Sequence, residues 1–145
     1  SVTGTAMVSG NMPAFSAYST SNQSIPATTN TKITFDTEEF DTNSNFASSR
    51  FTPTVAGYYV CTATVRGNAG NNELNLGIWR NGGGASNSKQ GTILSAGATG
   101  TTCTAMFYMN GSTDYLEVYL YAGASCTTSG NQSSSYFQGT LIRAA

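Results

Sequence analysis

The chain contains no histidine, and that absence removes most of the familiar routes to catalysis. Ser-His-Asp and Cys-His nucleophilic arrangements need an imidazole to carry the proton, and His-based metal sites need one as a ligand. Any catalysis would have to run on carboxylates. The densest acidic group is Asp36, Glu38, Glu39 and Asp41, a set that could supply the acid and base of a glycosidase or the oxygen ligands of calcium. Strand alternation puts Glu39 and Asp41 on one face and Asp36 on the other. A solvated acidic segment is therefore the simplest reading, with calcium binding second and glycosidase chemistry third. No cofactor is expected, and calcium is the one the cluster could hold. The glycine-rich run Asn81-Gly82-Gly83-Gly84 lacks the Lys-Ser or Lys-Thr that completes a phosphate-binding loop, so it reads as a hairpin turn. The chain is expected to be non-enzymatic.

Three cysteines, Cys61, Cys103 and Cys126, leave at least one thiol unpaired within the chain. Cys61 lies in an alternating segment and reads as a small buried hydrophobe. A Cys103–Cys126 disulfide is open as an alternative, but a hairpin turning at Asn110-Gly111-Ser112 would not set the two opposite one another. Three free, mostly buried thiols are the simpler expectation.

Length and composition describe the scaffold. A chain of 145 residues suits one domain, residues 1–145, able to bury roughly 70% of its unfolded surface. Only 9% of residues are charged, yet the formal net charge is −1 and there are eight Tyr and seven Phe, which is not the composition of a disordered chain. No apolar run reaches the roughly 18 to 20 residues that span a bilayer, and no basic stretch followed by an apolar block opens the chain, so neither membrane insertion nor a leader is expected. Six Lys and Arg against seven Asp and Glu give no clustered basic face for nucleic acid. The opening Ser1 in place of Met suggests an excised domain or a processed chain.

Alternating or β-rich segments recur between turn clusters at 13–18, 32–35, 57–66, 74–80, 91–95, 101–109, 115–121 and 136–143, and no segment carries a sustained helical period. The clusters 68–72, 81–84 and 110–112, rich in Asn and Gly, turn the chain sharply because they tolerate positive φ, and they read as hairpin or inter-sheet loops. The pattern predicts an all-β, antiparallel jelly-roll sandwich of about eight to ten strands. Phe35, Phe51, Tyr59, Val65, Leu116, Val118, Leu120, Phe137 and Leu141 are the predicted core.

Two stretches carry a family resemblance. In the first, Phe35 is followed by Asp41, Phe46, Phe51, Gly57 and Tyr59, an order of Phe, Asp, aromatic, Phe, Gly, any, Tyr that resembles the signature of the C1q globular head, a relative of the tumour necrosis factor domain. In the second, Tyr136-Phe137-Gln138-Gly139-Thr140-Leu141-Ile142 resembles the last strand of the same family. The spacing from Phe46 to Phe51 is two residues shorter than the usual pattern, and Cys61 and Ala63 stand where the family prefers aromatics. Their lost volume must be refilled by neighbours or the core there must be tighter.

The 115–121 segment places Leu116, Val118 and Leu120 on one face and Tyr115, Glu117, Tyr119 and Tyr121 on the other, and 57–66 repeats the idea with Tyr58. A sandwich has one inner face per sheet, so aromatic residues on the second face predict another partner. Three-fold self-association through Tyr58, Tyr115, Tyr119 and Tyr121 supplies it, and the resemblance implies the same homotrimer. Ligand contacts are expected on the loops 67–72, 81–88 and 125–132, through Asn68, Asn71, Asn72, Asn81, Asn87, Thr127, Thr128 and Asn131.

The run 31–60 looks particularly like C1q-like domains that end bacteriophage and bacterial structural proteins. This implies a trimeric recognition and assembly module at a virion surface, in a tail, fibre or capsid, that meets a host-surface glycan or protein and other virion proteins. A structural trimerisation or capsid-decoration unit without a receptor is the alternative, and a secreted lectin-like head the third. Asn-x-Ser tripeptides at Asn22, Asn110 and Asn131 are compatible with secretion but are frequent by chance in such a chain.

Overall fold

Alternation in the 57–66 segment builds the centre of the molecule: Tyr59, Cys61, Ala63 and Val65 turn inward and are buried, while Tyr58, Val60, Thr62 and Thr64 turn outward. The computed structural model describes residues 12–67, 70, 72–83, 87–91 and 100–145 and, among them, thirteen strands and no helix. These are β1 (Ala14–Tyr18), β2 (Ser24–Ile25), β3 (Thr31–Lys32), β4 (Thr37–Asp41), β5 (Phe46–Ala47), β6 (Arg50–Phe51), β7 (Gly57–Arg66), β8 (Leu74–Arg80), β9 (Ser88–Gln90), β10 (Gly100–Met109), β11 (Leu116–Ala122), β12 (Cys126–Thr127) and β13 (Ser135–Ala144). One sheet runs β10-β7-β13-β1-β4, and the other runs β5-β6-β11-β8-β9 with β3 also on β11; β12 and β2 form a short ribbon. All pairs are antiparallel, and the chain is the all-β jelly-roll sandwich that the sequence predicts.

Aromatic rings join the two sheets. Phe15 stacks on Phe51 with ring centres 4.2 Å apart and on Phe46 at 5.3 Å, Phe137 meets Phe15 edge-on at 4.9 Å, and Phe51 meets Tyr59 edge-on at 5.5 Å. Such pairs add about 0.5–1.5 kcal/mol beyond the area they bury. All nine predicted core residues are buried. Tyr59 keeps its hydroxyl satisfied by donating to the Val55 carbonyl at 2.8 Å, and burial, with a smaller contribution from Cys61, pushes its phenol up to about 12.

The small Cys61 and Ala63 are compensated by their neighbours. Cross-strand rows run Phe15–Gly139–Cys61 and Ala17–Phe137–Ala63, so a large ring in each row covers the small residues beside it. Gly139 is the space that Phe15 fills: a β-carbon there would lie 2.6 Å from the Cys61 sulfur and 2.9 Å from the Phe15 ring.

The structure departs from the sequence reading at short elements. The 32–35 segment is a strand only at Lys32, the second residue of β3, although Ile33 and Phe35 are still buried. Six strands (β2, β4, β5, β6, β9 and β12) fall outside the predicted segments, and all but β4 and β9 are only two residues long. The β5–β6 hairpin turns on Ser48 and Ser49 with φ of 52° and 58°, a turn that ordinarily calls for Asn or Gly at both positions. Residues 92–95 of the predicted 91–95 strand lie outside the described residues, and β9 pairs with β8 just before it. Asn81-Gly82-Gly83 follow β8 directly and β8 pairs antiparallel with β9, the hairpin expected there. The 110–112 cluster is the inter-sheet loop of the two alternatives: it carries the chain from β10 in one sheet to β11 in the other. All three cysteines are free, with Cys61 and Cys103 buried, and Cys103 and Cys126 belong to different sheets.

Candidate functional site

The outer face of the five-stranded sheet carries an apolar patch. Tyr58 on β7 and Tyr108 on β10 are cross-strand partners whose rings meet edge-on at 5.4 Å, and both stay 43% exposed. Beside them Met106 is 56% and Ile142 48% exposed. Tyr58, Met106 and Ile142 line, with Arg143, Ala144 and Ala145, an open depression of about 580 Å³. Phe40 on β4 is equally exposed and lines a second depression with Val60, Thr62 and Thr140. Single exposed apolar side chains are ordinary, whereas a contiguous group across neighbouring strands marks an interaction surface. Sequence reasoning found Tyr58 but missed Met106, Tyr108, Ile142 and Phe40. The available signal was β10, where Met106 and Tyr108 continue the outward row that begins with Thr102 and Thr104.

Tyr115, Tyr119 and Tyr121 lie elsewhere. Tyr119 and Tyr121 project from β11 of the six-stranded sheet and Tyr115 directly precedes that strand, whereas Tyr58 is on β7 of the other sheet, so the four tyrosines do not form one surface. Tyr119 stacks on Trp79 at 4.1 Å with an interplanar angle of 19°, and donates its hydroxyl to Glu117 at 3.1 Å. Gly77 makes room for this stack, since a β-carbon on it would lie 2.7 Å from the indole nitrogen. The ring of Tyr115 lies beneath the Arg50 guanidinium at 3.8 Å, and Tyr121, half-buried, faces Asn75 across the strands.

Glu117 is the electrostatic centre of that face. Only 3% of its side chain is exposed, and it holds Lys32 at 2.7 Å and Arg50 at 2.9 Å. Burial alone would raise its carboxyl, but hydrogen bonds from Lys32 and Arg50, the Lys32 charge and the Tyr119 hydroxyl outweigh it and hold the group below its ordinary value of 4.5. Because the folded value is depressed, the stabilisation from Glu117 is complete above 4.5 and is lost as pH falls through the lower folded value. Asp36 works in the same direction: burial raises it, but the Thr20 hydroxyl and amide and the Thr37 hydroxyl draw it down further. The expected outcome is a urea midpoint that is level from about pH 5 to 8 and falls below about 4.5. Glu117→Gln should flatten part of that acid limb. A midpoint indifferent to pH down to 3 in the wild type would contradict it.

The acidic residues do not converge. Asp36 serves Thr20; Glu39 accepts from the Ser16 hydroxyl at 3.0 Å; Asp41 accepts from the backbone amide of Phe46 at 2.7 Å. Glu38 and Glu39 are exposed. Among the described residues no group of three His, Cys, Asp or Glu side chains comes together as a metal site needs.

The loop residues also separate. Gly67 bridges to Thr128 and the Ser129 amide donates to the Arg66 carbonyl, so Gly67, where the 67–72 loop begins, sits beside the 125–132 loop at one end of the sandwich. Asn81, which opens the 81–88 loop, lies at the other end of β8, against Asp114 and Tyr115. Asn68 and Asn71 lie outside the described residues; Asn72 and Thr127 are exposed. The rest have structural duties. Asn81 donates to Asp114 and accepts from the Tyr115 amide, Asn87 accepts from Arg80, and buried Thr128 accepts from the Gln23 amide. Asn131 accepts from both the amide and hydroxyl of Ser133.

Comparisons with solved structures define the class to which this architecture belongs. The globular domain of zebrafish complement 1qA superposes with a TM-score of 0.65 at 19% identity, over 92% of this chain and 99% of that one. Murine APRIL at pH 5.0 gives 0.69 at 10% identity, over 90% and 99%. The PRD1 vertex protein gives 0.56 at 20% identity, over 90% and 97%. The chain therefore has the C1q/tumour necrosis factor fold. No family model and no curated protein sequence matches it.

Proposed function

We propose that this chain is a non-enzymatic recognition and assembly module that associates three-fold through the outer face of its five-stranded sheet and presents the remaining surface at a virion exterior. The observation that carries the reading is the patch around Tyr58, Tyr108, Met106 and Ile142, all exposed in the single chain. Association covers this apolar area, and burial is favourable at roughly 25 cal/mol per Å² before the cost of lost freedom is charged against it. Threefold symmetry is what the family resemblance implies, and the virion setting is supported by the likeness to the PRD1 vertex protein. Tyr115, Tyr119 and Tyr121, engaged with Arg50, Trp79 and Glu117 on the opposite sheet, are left out of this interface.

Three copies held together raise avidity for a repeated surface without any new contact. The test is attachment: labelled protein is offered to candidate host cells and to emptied capsids. Staining of cells supports host recognition. Binding confined to capsids supports the second reading, a decoration or trimerisation unit, and binding to neither removes both partners.

A further inference from the structure

The geometry points to a binding site for a carboxylate-bearing saccharide in the cleft between β3 and the β5–β6 hairpin, with Arg50 and Lys32 as the cationic contacts. This deepens the recognition reading by naming a site and a ligand chemistry away from the loops.

The cleft has a volume of about 500 Å³ and is lined by Lys32, Arg50, Ser44, Ser48, Thr52 and Thr54 among others, a size in the range of small-ligand sites. The chain has only six Lys and Arg, and two of them converge here on one carboxylate, leaving a net positive charge. Both remain accessible, with side-chain exposures of 34% and 43%. Glu117 already shows that the pair accepts a carboxylate: Lys32 donates to its Oε1 at 2.7 Å and Arg50 Nε to the same oxygen at 2.9 Å. Lys32 also donates to the Ser48 carbonyl at 3.0 Å, so among the described residues one of its three N–H groups is left over, while Arg50 meets Glu117 through Nε and Nη2 and its Nη1 donors are left over.

Arg50 is held ready for a planar anion. Glu117 fixes one edge of the guanidinium and the Tyr115 ring supports its face at 3.8 Å, so little freedom is lost when a second carboxylate arrives. The wall is strained at the same place. Ser44 and Ser48 both sit at positive φ, 53° and 52°, which non-glycine residues adopt at a cost and which concentrates at ligand sites. Hydroxyls of Ser and Thr around a cation pair suit the hydroxyls and single carboxylate of an acidic sugar ring better than a multiply charged phosphate, which would call for more cations. The cleft belongs to the six-stranded sheet, so association through the Tyr58 face leaves it open.

The test titrates a short oligogalacturonate, its methyl ester and inorganic phosphate into the protein while the backbone amides of residues 44–54 are followed by NMR. The acidic oligomer is expected to shift those amides with saturation, and the methyl ester, which removes the charge and adds only a methyl group, to shift them at least about tenfold more weakly. Arg50→Gln and Lys32→Gln should each weaken the oligogalacturonate by about ten- to a hundredfold. Should Arg50→Gln unfold, Lys32→Gln carries the comparison, because Arg50 then still pairs with Glu117. No saturable shift, equal binding of acid and ester, tighter binding of phosphate, or unchanged affinity in a folded Lys32→Gln protein overturns the assignment. A trimer that ignores oligogalacturonate loses only the cleft, whereas a single chain that binds it loses only the assembly reading.

Discussion

Replacing Phe51 by alanine lowers the free energy of unfolding by about 3–5 kcal/mol, the largest loss expected from one core truncation here. The ring is fully buried, stacks on Phe15 at 4.2 Å and meets Tyr59 edge-on at 5.5 Å. It is also the strongest tie between the sheets, because Phe15 and Tyr59 belong to the five-stranded sheet and Phe51 to the other. Removing it leaves a cavity that neither sheet can close alone, since β6 is only two residues long and pinned by its pairing to β5 and β11. Leu120→Ala, in the middle of β11, should cost about 2–5 kcal/mol. Urea unfolding followed by the fluorescence of the single tryptophan, Trp79, measures both. A Phe51→Ala protein within about 1 kcal/mol of the wild type would mean that the ring is not packed as described.

The second large effect concerns assembly. Met106→Asp and Tyr58→Asp each place a charge in the centre of the apolar patch, where Met106 is 56% and Tyr58 43% exposed beside Ile142. Burying an unpaired carboxylate costs several kcal/mol, and in a three-fold interface the cost recurs in every copy. Both variants are expected to sediment as single chains while keeping the wild-type circular dichroism, because neither side chain contributes to the core. Tyr121→Asp is the matched control on the opposite sheet and should leave the mass unchanged. Dissociation by Tyr121→Asp with assembly intact in Met106→Asp would move the interface to the other sheet.

The long strands were legible because alternation persists for seven to ten residues: β7, β8, β10, β11 and β13 all fall within a residue or so of the predicted segments. The core followed from the same alternation. Short strands were not legible, since two residues such as Arg50–Phe51 carry no period, and Ser48-Ser49 does not read as a two-residue hairpin turn until Ser49 is seen bonding the Phe35 amide at 2.9 Å. The interaction surfaces were only half legible. An outward tyrosine can be read from alternation, but whether it meets solvent or a neighbour depends on which sheet its strand joins. Thus Tyr58 stays exposed, while Tyr119 is occupied by Trp79 and Glu117. The cleft was invisible for a related reason: Lys32, Arg50 and Glu117 are brought together by the pairing of β3 and β6 with β11, and no local spacing announces it.

The central claim is self-association through the Tyr58 face, and the mass of the wild-type protein tests it most directly. Sedimentation equilibrium at micromolar concentration is predicted to return three times the chain mass of 15.1 kDa. A single-chain mass across the whole concentration range would contradict the account.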